Sequence, residues 1–215
     1  THLADVEHIA FVEQKEQLGT AHALLQAEEL LKDEKGTTIV VCGDTPLLSS
    51  ETFTNGFIAH EKNNAACTVI TGIVDDATGY GRIIRDKHTR NVVGIVEEKD
   101  ASEEQRKITE FNSGTYYFKN DGLFDILHMI SNDNAQGEYY LPDAISLYVN
   151  RDDIVRGYPI NHVEDITGVN DRVALSEVEK TLRNKINHYW QVQGVTIVNP
   201  ETTYIGTDVQ IENDV

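Results

Sequence analysis

The run Thr37-Thr38-Ile39-Val40-Val41-Cys42 constrains the fold more than any other stretch of the chain. Short, β-branched and almost wholly apolar, it has the pattern of a strand buried on both faces in a parallel sheet. Gly43-Asp44-Thr45-Pro46 ends it, and the periodicity around it predicts helices before and after. The first helix runs from about Ala21 to Lys32, with Thr20 as N-cap, Leu24, Leu25, Leu30 and Leu31 on its apolar side and Gly36 beyond its end. The second spans Ser50 to Lys62, and Cys67 to Ile73 is the next strand. Strand-helix-strand order predicts an α/β fold.

Further strands are expected at His8–Val12, Gly81–Ile84, Val92–Val96 and Asn112–Phe118, and helices at Leu123–Met129 and Pro142–Val149. From Asn170 to Gln193, the residues Val173, Val178, Leu182, Ile186 and Tyr189 fall at three- to five-residue intervals, which predicts one long helix with a buried stripe, stopped by Gly194. The texture then changes. Ile205 and Ile211 are six residues apart, and Val209 and Val215 repeat that step, the signature of hexapeptide β-helix coils that bury their apolar faces only by stacking.

The 215 residues, 40% of them hydrophobic, suffice for one domain and part of another. A net charge of -18 disfavours nucleic acid and anionic lipid surfaces as partners. Cys42 and Cys67 lack disulfide or metal-site spacing, and no apolar run reaches the length of a membrane span, so a reducing cytoplasm is the expected compartment.

Several polar residues stand where chemistry can be done. Asp44, just past the end of a strand, suits a hard cation, although a turn aspartate capping the next segment has the same appearance. Gln17-Leu18-Gly19-Thr20 enters a helix whose free amides can meet a ligand, with Gly19 allowing close approach. Gly79-Tyr80-Gly81-Arg82 offers a backbone amide before a strand; Glu97-Glu98-Lys99-Asp100 follows one, where a solvated charge run is the plainer reading, and Asn112 begins another. Asn170 lies at the start of the long helix, the place of a cap. Asn134 to Tyr140, too polar for core and too aromatic for a linker, reads as a binding loop, whereas His22 and His162 read as structural or surface residues.

Taken in order, Gln17 to Ala23, Gly43 to Leu47, Gly79 to Ile83, Ile95 to Ala101, Asn134 to Tyr140 and Gly168 to Arg172 resemble one family, the bifunctional N-acetylglucosamine-1-phosphate uridylyltransferase/glucosamine-1-phosphate acetyltransferases. The resemblance implies a Rossmann-like α/β nucleotidyltransferase domain over residues 1–169, a linking helix at 170–194 and the first coils of a left-handed β-helix at 195–215. It implies transfer of UMP from UTP to N-acetylglucosamine 1-phosphate, giving UDP-N-acetylglucosamine and pyrophosphate for cell-wall precursors. It further implies Mg2+ held by Asp44 and Asn170, and uracil recognised by Gln14, Gly19 and Thr20. Cys42 and Gly43 would line the nucleotide beside Asp44. Gly81, Glu97, Asn112 and Asn170 would hold the sugar and its phosphate, with Tyr140 near the N-acetyl group. The parent of such a chain would also acetylate glucosamine 1-phosphate with acetyl-CoA and assemble as a trimer.

The family's glycine-rich phosphate loop and the lysine after it are missing from this sequence. Residue 1 is therefore expected to fall after the first two strand-helix units, leaving a sheet edge open and the chain inactive by itself. A nucleotidyltransferase for another sugar 1-phosphate, or a non-catalytic sugar-nucleotide-binding module, would share much of this sequence.

Overall fold

The computed structural model describes residues 8–215. The chain divides into two compact units, one formed by residues through Val41 with Thr54–Ile160, the other by Cys42–Phe53 with Asn161–Val215.

The first unit is a mixed sheet with helices. Its strands are β1 (Thr37–Val40), β2 (Cys67–Ile73), β3 (Arg82–Arg85), β4 (Val92–Val96), β5 (Glu110–Lys119) and β6 (Val155–Pro159), in the order β4-β3-β5-β2-β6, with β1 also on β5. The ten residues of β5 organise the sheet. One edge meets β3 at Phe111 and β1 at Tyr116 to Lys119, and the other meets β2 along most of its length. A break in register between Val69 and Thr71 accommodates Gly114, whose φ of 77° lies in the left-handed region. Among the described strands only β2 and β6 run parallel.

Helices α1 (Thr20–Leu25), α2 (Glu28–Leu31), α3 (Ser50–Lys62), α4 (Glu103–Arg106), α5 (Leu123–Leu127) and α6 (Asp143–Asn150) precede the long α7 (Arg172–Val192). Ala21, Val69, Ile83, Tyr116, Phe118, Ile126 and Ile145 lie in one continuous core of the first unit. Burying each of the valine, isoleucine and phenylalanine side chains among them contributes roughly 1.5–3 kcal/mol.

Expectation and structure agree to the residue for α3, β2 and β4. They part at β1 in direction, since it runs antiparallel to β5 rather than parallel; it pairs with no second strand among the described residues, so the sheet has the open edge that was expected and Ile39 is 41% exposed. His8–Val12 forms no strand, and Ile9, Phe11 and Val12 are exposed. The first helix breaks in two, because Gln26 and Ala27 donate to Ala23 and Leu24 in tighter i to i-3 bonds. Gly19, not Thr20, is its N-cap, and Leu30 is exposed while Leu24, Leu25 and Leu31 face the core. Strand β6 and helix α4 were not anticipated.

In the second unit, α7 starts one residue past Asp171, whose Oδ1 accepts from the amides of Val173 (2.9 Å) and Ala174 (2.8 Å). The expected buried stripe is largely open: Val178 is buried, but Val173, Leu182 and Tyr189 are exposed. Polar contacts hold this unit instead. Lys185 pairs with the buried Asp165, and Asn187 Nδ2 donates to Pro200 O (2.8 Å) and Thr203 O (3.0 Å). Gly194, with φ 94°, ends the helix region as expected. Beyond it the chain has a 3-10 turn at Pro200–Thr202 and no strand, with Ile205 and Ile211 partly buried and Val209 and Val215 exposed.

Candidate functional site

Each unit carries its own set of candidate residues. In the first, Gln14 closes over the start of α1, where Nε2 lies 3.0 Å from both Gly19 O and His22 Nδ1. His22 is thereby structural. A Cβ on Gly19, at φ 112°, would stand 2.5 Å from Tyr139 O, so glycine is required there by the protein's own backbone rather than by a ligand. The amide of Ala21 donates to Tyr139 O (2.9 Å), which removes one donor expected to be free at this helix start. Thr20 Oγ1 accepts from Leu141 N (2.9 Å), so Gly19 and Thr20 clasp the segment that carries Tyr140.

A second group forms where β3, β4 and β5 meet. Asn112 N donates to Gly81 O (2.8 Å), and a Cβ on Gly81 would lie 3.0 Å from Glu97 Oε1, which places Gly81, Asn112 and Glu97 side by side. Asn112 Oδ1 accepts from Gly114 N (3.0 Å), leaving its Nδ2 without a partner among the described residues. Burial pushes the Glu97 carboxyl above the usual range, and the charges of Asp143 and Asp100 push the same way. Asp143, in the first turn of α6, is raised by burial and by Asp100. Neither has a cation beside it among the described residues, which suits both to accepting hydrogen bonds from hydroxyl groups.

The stretch 97–100 is not a solvated charge run. Glu98 Oε2 lies 2.7 Å from Arg82 Nη1 and accepts from Gly79 N (3.2 Å), and Asp100 Oδ1 accepts from Ala135 N (2.9 Å). Lys99 donates to Gln136 Oε1, and Gln136 Nε2 donates to Tyr140 Oη over 2.7 Å. Asn134 Oδ1 accepts from the amides of Gln136 (3.1 Å) and Glu138 (3.2 Å), shaping the loop from within. The sequence singles out neither Asp143 nor the separate roles of Lys99, Asp100 and Gln136. The one signal for Asp143 was its place directly after Pro142 at a helix start.

In the second unit, Val169 N donates to Asp44 O (2.8 Å), bringing the two segments together. A Cβ built on Gly168 would lie 3.6 Å from Asp44 Oδ2 and 3.8 Å from Asn170 Nδ2, so both side chains face the same small space. Asp171 performs the capping that Asn170 was positioned to do, and the Asp44 carboxylate caps nothing among the described residues. Cys42 is exposed, and its carbonyl accepts from Thr45 Oγ1 (3.0 Å) beside Gly43. No three His, Cys, Asp or Glu side chains cluster as a metal site among the described residues. One carboxylate and one amide suit an ion that keeps most of its coordination for water and phosphate oxygens.

A cavity of about 690 Å³ between Lys32, Lys119, His60 and Gly122 lies at the end of β5 opposite Asn112 and contains none of these residues. No described helix is long and apolar enough to cross a membrane.

The Nucleotidyl transferase family model matches residues 2–191. The chain is 51% identical over 204 residues to the bifunctional protein GlmU of Oceanobacillus iheyensis, covering 95% of this chain and 45% of that protein. It is 49% identical to GlmU of Listeria monocytogenes serotype 4a over 97% of this chain and 46% of the relative, and 48% identical to that of Halalkalibacterium halodurans at the same coverage. The chain thus spans about half the length of these curated relatives. A crystal structure of UDP-glucose pyrophosphorylase complexed with UDP-glucose shares the fold, with a TM-score of 0.58 and 20% identity over 85% of this chain and 66% of that one.

Proposed function

This chain belongs to the nucleotidyl transferase family, and we propose that the whole protein transfers UMP from UTP to N-acetylglucosamine 1-phosphate. The observation that carries this reading is the pair Asp44 and Asn170, whose side chains cap no helix among the described residues and both face the space beside Gly168. The name GlmU, borne by relatives about half identical to this chain, supports the choice of sugar over another sugar 1-phosphate.

In the reaction, an oxygen of the sugar phosphate attacks the α-phosphorus of UTP. A new phosphorus–oxygen bond forms, the bond to the bridging oxygen breaks, and pyrophosphate leaves. Asp44 and Asn170 are the ligands for Mg2+, which when bound offsets the repulsion between two anionic substrates. Orientation does the rest. Gln14, Gly19 and Thr20 are the uracil contacts, with Cys42 and Gly43 alongside the nucleotide. The free Nδ2 of Asn112 donates to the sugar or its phosphate, Glu97 accepts from a sugar hydroxyl beside Gly81, and Tyr140 faces the acetamido group. No protein nucleophile is needed.

The same reading gives the whole protein a layout of nucleotidyltransferase domain (1–169), linking helix (170–194) and left-handed β-helix from 195. The bond from Thr196 N to Val215 O (2.9 Å), which returns the chain beside itself, supports this. Acetylation of glucosamine 1-phosphate by acetyl-CoA, trimeric assembly and work in the cytoplasm on cell-wall precursors belong to it as well. Asp44→Ala in the whole protein should lower kcat by about a hundredfold or more with the sugar KM little changed. A variant retaining most of its kcat would contradict the assignment.

A further inference from the structure

Tyr140 is buried, at 7% exposure, and among the described residues its hydroxyl has one hydrogen-bond partner, Gln136. The direction of that bond follows from Lys99. An ammonium group has donors only, so the Gln136 atom facing it is the carbonyl oxygen, and the amide nitrogen must face Tyr140. The phenolic oxygen is therefore the acceptor, and the phenolic proton remains to be given to something else. Burial opposes loss of that proton more than the bond from Gln136 favours it, and the nearby carboxylates of Asp100, Glu138 and Glu97 oppose it further. Asp100 also holds the loop to the end of β4 through Ala135 N (2.9 Å), so the relay is anchored at both ends.

We propose that Lys99 and Gln136 are positioning residues that make Tyr140 an obligatory donor, selecting a sugar 1-phosphate whose 2-substituent presents a carbonyl acceptor over one bearing an ammonium group. The inference rests on the functional reading above and adds the residues that set its selectivity. An acetamido oxygen accepts the Tyr140 proton; a free amine, protonated near neutral pH, cannot accept, and leaves a buried donor unpaired.

The test is the ratio of kcat/KM for N-acetylglucosamine 1-phosphate over glucosamine 1-phosphate, measured with UTP in the whole protein. Gln136→Glu keeps the pairing with Lys99 but replaces the donor facing Tyr140 with an acceptor, which captures the phenolic proton. The ratio should fall about tenfold, mostly through KM for the acetylated sugar. Tyr140→Phe should produce a similar fall, and adding Gln136→Glu to it should change the ratio no further. Equal losses for both sugars, or an unchanged ratio in Gln136→Glu, would overturn the proposal. Absence of turnover by the unsubstituted protein would instead defeat the functional reading, and the inference with it.

Discussion

Glu110, which opens β5, and Glu97, the residue after β4, are two half-buried glutamates at strand ends of one sheet, and their surroundings are opposite. Arg85 grips Glu110 through two bonds of 2.6 Å, and Thr71 Oγ1 donates to it over 2.8 Å. Burial alone would raise the Glu110 carboxyl, but Arg85 and Thr71 outweigh it and hold the group below the usual range. Glu97 has no such cation, and burial together with Asp143 and Asp100 raises it. One charge is satisfied by the fold; the other meets no cation among the described residues, which is what the proposed role in holding the sugar requires. Burial therefore cannot by itself separate structural from functional carboxylates. What the group is paired with does.

Substitution should make the contrast measurable. The largest effect is expected at Glu97, where replacement by alanine in the whole protein should lower kcat/KM for the sugar phosphate by about a hundredfold without loss of thermal stability. Glu110→Ala should do the reverse. Leaving Arg85 part-buried and unpaired should cost about 2 kcal/mol, discounted for partial exposure, and lower Tm by roughly 4–8 °C with selectivity unchanged. If either variant showed the other's phenotype, the comparison would fail.

Acid titration sharpens it further. The stability Glu110 contributes is present above the ordinary glutamate range and lost as pH falls through its lowered native value. Glu97, raised in the native protein, favours the fold in its protonated form, so its contribution is full below the ordinary range and lost as pH rises through the raised value. Sugar affinity should thus weaken on acidification before the Arg85–Glu110 contribution to stability is lost, as sugar-binding and unfolding measurements across that range would reveal. The smallest effect is expected from Asp143→Asn, which removes a like charge and should stabilise the protein by about 0.5 kcal/mol near neutral pH in thermal unfolding.

The legibility of the sequence followed the same division between a residue and its neighbours. β2 and β1 are both short and β-branched, yet β2 is buried through Gly72 whereas β1 leaves Ile39 exposed, because β2 lies between β5 and β6 while β1 pairs, among the described residues, with β5 alone. Composition recorded the strands but not which would be covered. β6 escaped notice because Arg156, Gly157 and Pro159 interrupt its apolar pattern. Among the site residues, the stretches around Asp44, Gly81 and Glu97 were visible as motifs at element ends. The link from Lys99 to Gln136 was not, since a side-chain bond across 37 residues leaves no periodicity. Asn170 was the reverse case: its position suggested a cap, and only the structure gives that role to Asp171.

Pyrophosphate release from UTP, Mg2+ and N-acetylglucosamine 1-phosphate by the whole protein tests the central claim most directly. Release that requires all three and is abolished by Asp44→Ala is the predicted result. A folded whole protein that releases none with this sugar phosphate would contradict the account.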